Sequence, residues 1–532
     1  MAQAAASGSA ARRTPAPTNL WALVERQAAD RPDGLLAVDE QDRILTFGEL
    51  RTRSERAAAG LRALGVDEGT PVSWQLPTRL ESIVLVAALM RLGAVQNPCL
   101  PIYRERELRY ILAAVAPRVF VVPGAWRGVN YPTMALGLLD ELRASHGLET
   151  ELVVVDPDLP DGDPVDLAPP PTLQLPGDHP VRWIFFTSGT TADPKGARHT
   201  DATIGHGAAA VVDRLEMTDA DRYPITFPFT HIGGIGMLVT QLLTGSGAIA
   251  LEQFDPDNTP PYFARQGLTI AAGGTPMALL YLQAQRRQPD TPLFPKLRLA
   301  LTGAAPKPPT LDAELREELG GVGSVSVYGL TEAPFATVGS VSDPAEWRAT
   351  TEGRVLPGCE IRVIDADGSG RVLPVGATGE ICVRGPLICH GYLDPARNDE
   401  AFDSDGFFRT GDLGSVDEHG NLTVSGRLKD VIIRKGENIS AKDVEDVLYE
   451  HPDVVDVAVI GLPDPERGER ACAVVVLRDG ADHLDLDTVG AHCRSAGLSV
   501  QKIPEQVELV DALPRNASGK VLKYQLQEMY SP

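Results

Sequence analysis

Residues Thr187 to Gly196 read Thr-Ser-Gly-Thr-Thr-Ala-Asp-Pro-Lys-Gly and follow the apolar run Trp183-Ile-Phe-Phe186. A strand emptying into a loop of hydroxyls, glycine and one lysine offers the groups that hold phosphate oxygens. Hydroxyls and bare backbone N–H groups donate, and an ammonium adds a point charge. Thr187, Ser188, Gly189, Thr190, Thr191 and Lys195 are the candidates. The spacing departs from the common mononucleotide loop, G-x-x-x-x-G-K-[ST], because Lys195 lies between Pro194 and Gly196. The chemistry predicted is nucleoside triphosphate binding by a loop of another kind.

Such a loop needs strands to present it. From Val181 to Leu330 strand-like and helix-like segments alternate, with strands expected at 183–186, 225–229, 248–251, 269–271, 297–301 and 324–328. Helices are expected at 236–243 and 310–319, and in the first hundred residues at 47–64 and 80–92, with a strand at 72–76 between those two. This alternation argues for an α/β fold of parallel sheets covered by helices, whose ligands gather at the carboxyl ends of strands. The stretch 156–180, full of Pro, Asp and Gly, reads as an exposed connector. Beyond Val355 shorter strands divided by Gly, Asp and Pro predict a β-rich subdomain. The last hundred or so residues form a small α+β unit, in which Ser440-Ala-Lys-Asp443 predicts a capping box with Asp in place of Glu or Gln.

The chain has 532 residues and a formal charge of −23, enough for roughly three to four folding units. That acidity argues against sequence-independent binding of nucleic acid as a polymer. Its six cysteines show no C-x-x-C and no zinc spacing, which suits buried thiols in a reducing compartment. Residues 1–16 read as a flexible tail, Arg12-Arg13 as solvated charge, and no apolar run reaches membrane-spanning length. The expectation is a soluble, cytoplasmic protein.

Seven segments in order carry a resemblance: the loop above, Tyr328-Gly-Leu-Thr-Glu332, Gly379-Glu-Ile-Cys-Val-Arg-Gly385, Phe408-Arg-Thr-Gly-Asp-Leu413, Gly426-Arg-Leu-Lys-Asp430, Lys435-Gly-Glu-Asn-Ile439 and Pro514-Arg-Asn-Ala-Ser-Gly-Lys520. Together they resemble the adenylate-forming superfamily of acyl-CoA synthetases, amino-acid adenylation domains and firefly luciferase, nearest to medium-chain fatty acid and cyclohexanecarboxylate CoA ligases. The resemblance implies a large domain over residues 17–428, including a β-rich subdomain at about 355–428, and a mobile domain over 429–532 that alternates about Lys429. It implies ATP, Mg²⁺ and coenzyme A as reactants, and a small-molecule carboxylic acid that becomes an acyl-AMP and then an acyl thioester.

The roles follow by the same resemblance. Lys195 meets the β- and γ-phosphates, Tyr328 and Gly329 lie against adenine with Gly303, Ala304 and Ala305 as another wall, and Thr331 contacts the adenylate phosphate. Glu332 holds Mg²⁺, while Asp412, assisted by Arg427, takes the ribose hydroxyls. Lys520 bridges carboxylate and α-phosphate, and Gly436 lines a tunnel for the pantetheine arm. His231, Ile232, Gly233 and Gly234, with Gly303 and Tyr328, border the acyl pocket. Taken singly, Tyr328 also fits a core aromatic, Glu332 an exposed acid and Lys429 a surface charge. Ala192 stands where the family often has glycine; a positive φ there would cost about 1 kcal/mol.

The stretch Phe229 to Gly236 has no carboxylate to meet a substrate ammonium, which disfavours amino acids. Its glycines suggest room for an aliphatic, alicyclic or polycyclic acid, with an aryl acid second. A carrier protein as acceptor is the rival reading, weakened by the lack of an obvious insertion, and a luciferase-like oxidoreductase is remote. The resemblance leaves room for a homodimer.

Overall fold

The computed structural model describes residues 13–172, 179–187, 194–226, 228–305, 307–308, 310–434, 437–465, 467–481, 483–516 and 519–531. Ser188, Gly189, Thr190, Thr191, Ala192 and Gly436 therefore lie outside the described residues, as does most of the expected tail. Where the tail is described it is attached: the Thr14 hydroxyl donates to Asp213 at 2.6 Å.

A six-stranded sheet runs in the order Lys195–Thr200, Val181–Thr187, Val95–Pro98, Pro71–Trp74, Val119–Pro123, Glu151–Val155. It is parallel apart from the antiparallel pair that opens it. The helix Leu80–Leu92 is buried along its whole length against this sheet and the helix Phe47–Ala63, which explains its lack of a polar face. Thr46 and Glu49 close a reciprocal capping box at the start of the latter helix.

Four elements carry the phosphate-loop and adenine-wall candidates of the large domain. The first, β1 (Val181–Thr187), turns back as β2 (Lys195–Thr200), with Thr187 opposite Lys195. The others are β3 (Leu299–Gly303) and β4 (Ser324–Leu330), parallel neighbours in a five-stranded sheet that continues into the antiparallel β5 (Ala333–Val338). The β-rich part is an antiparallel meander of Glu360–Ile364, Gly379–Arg384, β6 (Phe408–Val416) and β7 (Leu422–Arg427). The C-terminal sheet, built on Val454–Asp464 and Gly468–Leu477, packs its own core of Ile432, Ile439, Val444, Leu448, Val459 and Val475.

Two expectations need correction, and a third gains detail. The strand expected at 225–229 runs instead from Arg222 to Ile225 at the edge of a four-stranded sheet, where Pro224 is tolerated because an edge strand need not donate on both sides. Over its described residues the connector is exposed as expected, and it is tied to the large domain: Arg56 Nε donates to Asp161 at 2.7 Å, and Leu159 and Leu167 pack on the main core. The expected capping box at Ser440 is half made. Ser440 accepts from the Asp443 N–H at 3.3 Å, while the Asp443 carboxylate turns away to pair with Lys502.

Candidate active site

Register brings the first pair together. In the meander Asp412 of β6 stands opposite Arg427 of β7, and Arg427 Nε lies 2.8 Å from Asp412 Oδ1. The other carboxylate oxygen accepts from the Tyr328 hydroxyl at 2.7 Å. Asp412 is buried, so both partners are needed to replace its lost water. Burial, and next the neighbouring carboxylate, hold the Tyr328 phenol far above its ordinary range, so it stays a donor.

A cavity of about 340 Å³ opens over this cluster, lined by Gly303, Ala304, Ala305, Tyr328, Gly329, Asp412 and Arg427. Gly303 (φ +140°) and Ala304 (φ +62°) turn the chain sharply off the end of β3, and any Cβ on Gly303 would sit 2.2 Å from the Val327 carbonyl oxygen. Glycine is therefore required there for backbone approach.

Lys520 lines the same cavity. Its loop is a tight reversal: Asn516 N–H donates to Lys520 O at 2.8 Å, and Lys520 N–H donates to Asn516 Oδ1 at 2.9 Å. Gly519 faces Pro276 of the large domain, since a Cβ built on it would lie 3.3 Å from that ring. Gly519 thus meets the helix that starts at Gly274, while the last helix, Lys523–Tyr530, packs on the C-terminal sheet. Burial, reinforced by the Arg427 cation and only partly offset by Asp412 and Asp430, pushes the Lys520 amine down to about 7. The amine lies among the groups that resemblance assigned to the adenylate. Lys429, in the turn Leu428–Asp430, is exposed at the cavity rim.

Glu332 is buried, contrary to the reading of it as a surface acid, and burial raises its carboxyl above the ordinary value. The Tyr392 hydroxyl donates to its Oε1 at 2.6 Å. Lys195, at the head of β2, holds its ammonium 5.2 Å from the centre of the same ring. Thr331 lies between β4 and β5, and its carbonyl accepts from His199 Nε2 at 2.8 Å. Burial pushes His199 down to about 3, so its imidazole is neutral and serves as a backbone brace.

His231 caps the helix α1 (Ile232–Thr244), its Nδ1 accepting from the Gly233 N–H at 3.1 Å. Burial lowers it to about 4, which leaves a neutral ring and no cation for a substrate carboxylate. Ile232 is buried in the core. The expected room along this helix is partly filled by the chain itself. A Cβ on Gly234 would meet the Pro228 carbonyl oxygen at 2.8 Å, and one on Gly236 would lie 2.4 Å from the Phe335 ring. Gly236→Ala is therefore expected to destabilise the fold by about 1–3 kcal/mol through overpacking, and urea unfolding would measure it.

Sequence reasoning missed three residues: Tyr392, His199 and Lys307. Lys307 is half-buried beside the adenine-wall candidates, donating to Ser326 Oγ at 2.8 Å and Thr351 O at 3.2 Å. Burial lowers its amine to about 8. Its place just after Gly303-Ala-Ala-Pro306 was the one available signal.

Comparison with known proteins gives the family. Residues 24–393 match the AMP-binding enzyme family, and residues 443–520 match the AMP-binding enzyme C-terminal domain. The chain is 31% identical to a medium-chain fatty-acid–CoA ligase of Escherichia coli strain K12, covering 95% of this chain and 89% of that one. It is 34% identical to a salicyl-AMP ligase / salicyl-S-ArCP synthetase of Mycobacterium tuberculosis, covering 92% and 87%. The ATP-bound crystal structure of MatB from Rhodopseudomonas palustris superposes with a TM-score of 0.85 at 30% identity, covering 96% of this chain and 99% of that one. The chain therefore belongs to the AMP-binding enzyme family and is an adenylate-forming ligase of the acyl-CoA synthetase type.

Proposed function

We propose that this enzyme activates an aliphatic, alicyclic or polycyclic carboxylic acid as its adenylate and passes the acyl group to coenzyme A. The observation that carries the reading is the convergence of Lys520 with Tyr328, Asp412 and Arg427 on one cavity. A carboxylate oxygen attacks the α-phosphorus of ATP, the α–β bridging bond breaks, and pyrophosphate leaves. The coenzyme A thiol then adds to the acyl carbon, loses its proton, and expels AMP. Carboxylate oxygen is a poor leaving group and AMP a good one, which is the reason for the first step. Lys520 supplies positive charge as the negative charge on the reacting oxygens rearranges. Asp412 accepts the ribose hydroxyls, and the wall at Gly303–Ala305 sits opposite Tyr328 around the base. Lys195 and the hydroxyls of Thr187, Ser188, Thr190 and Thr191 hold the phosphates. Lys429 is the proposed hinge between residues 17–428 and 429–532, and Gly436 the proposed tunnel residue.

Mg²⁺ fits the donor set. Among the described residues no trio of His, Cys, Asp or Glu is arranged to hold a metal, and Glu332 is one buried carboxylate. A hard cation that keeps its waters and borrows substrate phosphate oxygens suits a single carboxylate. When bound it neutralises triphosphate charge.

Among the described residues no helix is long and apolar enough to cross a membrane, and the six cysteines are free and buried. We place the enzyme in the cytoplasm on the second observation. A second reading, transfer to a carrier protein, is favoured by the likeness to the salicyl-AMP ligase.

The test is a pyrophosphate-release screen over fatty, alicyclic, polycyclic and benzoic acids. The expected result is acid-dependent release that turns over repeatedly only when coenzyme A is present. Adenylate formation with no acyl-CoA for any acid, but with loading of a carrier, would replace the first reading by the second.

A further inference from the structure

We propose that Tyr392 is a positioning residue that sets the geometry between the phosphate-loop lysine, Lys195, and the metal carboxylate, Glu332. One group rests over its ring face and the other on its hydroxyl. The inference rests on the reading of Glu332 as a metal ligand and adds the residue that aims it.

The backbone around Tyr392 is fixed before its side chain acts. Its segment is laced along the edge of β2: His390 N–H donates to Arg198 O at 2.7 Å, Arg198 N–H to Gly391 O at 3.0 Å, and Leu393 N–H to Gly196 O at 2.7 Å. Asn398 Oδ1 accepts from the Tyr392 N–H at 2.8 Å. Three residues earlier, Cys389 N–H donates to the Glu332 carbonyl at 2.8 Å. One short segment therefore clamps both the strand that begins with Lys195 and the main chain of Glu332. Gly391 makes the reversal possible at φ +76°, where a Cβ would lie 2.8 Å from Asn398 Oδ1.

The side chain completes the bracket. Tyr392 is 2% exposed, so its hydroxyl has little access to water and donates its hydrogen bond to Glu332 Oε1. A carboxylate has two oxygens. Fixing one by a donor fixes the direction of the other, as hydrogen-bonded outer partners do for carboxylate ligands. A lysine chain has high rotamer freedom, and an aromatic face restrains its ammonium. A buried tyrosine that merely needed an acceptor would satisfy the first contact; it would not account for the cation over the same ring.

Binding of Mn²⁺, as a paramagnetic probe, is measured by electron paramagnetic resonance in the presence of α,β-methylene-ATP. Nucleotide binding without metal is measured separately by calorimetry. Tyr392→Phe keeps the ring and its packing, so it is expected to weaken Mn²⁺ binding about tenfold while metal-free nucleotide affinity stays within about twofold of wild type, as hydroxyl loss alone requires. Tyr392→Leu is expected to weaken both. Mn²⁺ binding within twofold of wild type in Tyr392→Phe would overturn the proposal, as would equal losses in both measurements, which mark a packing role. Glu332→Gln separates the two ideas: if it loses Mn²⁺ while Tyr392→Phe does not, only the tyrosine's role falls, whereas unchanged Mn²⁺ binding in Glu332→Gln removes the metal reading as well.

Discussion

Replacing Lys520 by alanine slows acyl-adenylate formation by roughly 10²–10³-fold, yet leaves thioester formation from a supplied acyl-adenylate within a few-fold of wild type. The asymmetry follows from where charge moves. In the first step a carboxylate and a triphosphate, both anionic, must approach, and the Lys520 amine borders the cavity where Tyr328 and Asp412 meet. In the second step the leaving AMP already carries its phosphate charge, and the proposed hinge motion takes this loop away. Pre-steady-state quench kinetics on each half-reaction would measure the split.

The same residue predicts a pH dependence with a definite sign. Burial and Arg427 lower the Lys520 amine to about 7 in the nucleotide-free enzyme, so the catalytically charged form is lost as pH rises through about 7. A bound triphosphate favours the cation and moves the pKa back up. Adenylation kcat/KM for ATP, which reports the free enzyme, is expected to fall above pH 7, while kcat holds its plateau to higher pH. Identical profiles for the two parameters would contradict the lowered amine.

Asp412→Ala carries the second large effect. Its carboxylate joins the Tyr328 hydroxyl to the Arg427 guanidinium at 2.7 and 2.8 Å. Removing it leaves a half-buried phenol and a partly exposed cation without this acceptor, at about 2–3 kcal/mol of stability. It also removes the group proposed for both ribose hydroxyls, and charged hydrogen bonds of that kind contribute about 1.5–3 kcal/mol each. ATP affinity is therefore expected to fall roughly 100-fold or more. Asp412→Asn keeps the shape and an acceptor oxygen, and should recover most of the stability but little of the affinity. Thermal unfolding and calorimetric titration, run on both variants, separate those contributions.

What was legible in the sequence was what local rules govern. The helix at 47–63 declares itself by its amphipathic pattern and that at 80–92 by its length, and the strand before the phosphate loop by its apolar run. The 225–229 error arose because an apolar run beside Pro228 also suits a helix entry: His231 N–H donates to Pro228 O at 2.8 Å and starts α1 instead. Of the candidate site, the sequence singled out Tyr328, Asp412, Arg427 and Lys520 by residue type, and these line one cavity. Tyr392 and His199 were not, because their partners lie 60 and 132 residues away. Nothing near either in sequence indicates that a hydroxyl will aim a carboxylate or that a neutral imidazole will hold a carbonyl. The glycines of α1 suggested space, but Phe335, a hundred residues on, fills part of it.

The central claim is that the acid's own oxygen becomes bonded to the α-phosphorus. Turnover of a carboxylate labelled with ¹⁸O at both positions, with ATP and coenzyme A, tests it in one mass spectrum of the nucleotide product. The account predicts AMP carrying one ¹⁸O atom and unlabelled pyrophosphate. Unlabelled AMP, or label appearing in inorganic phosphate beside ADP, would contradict it.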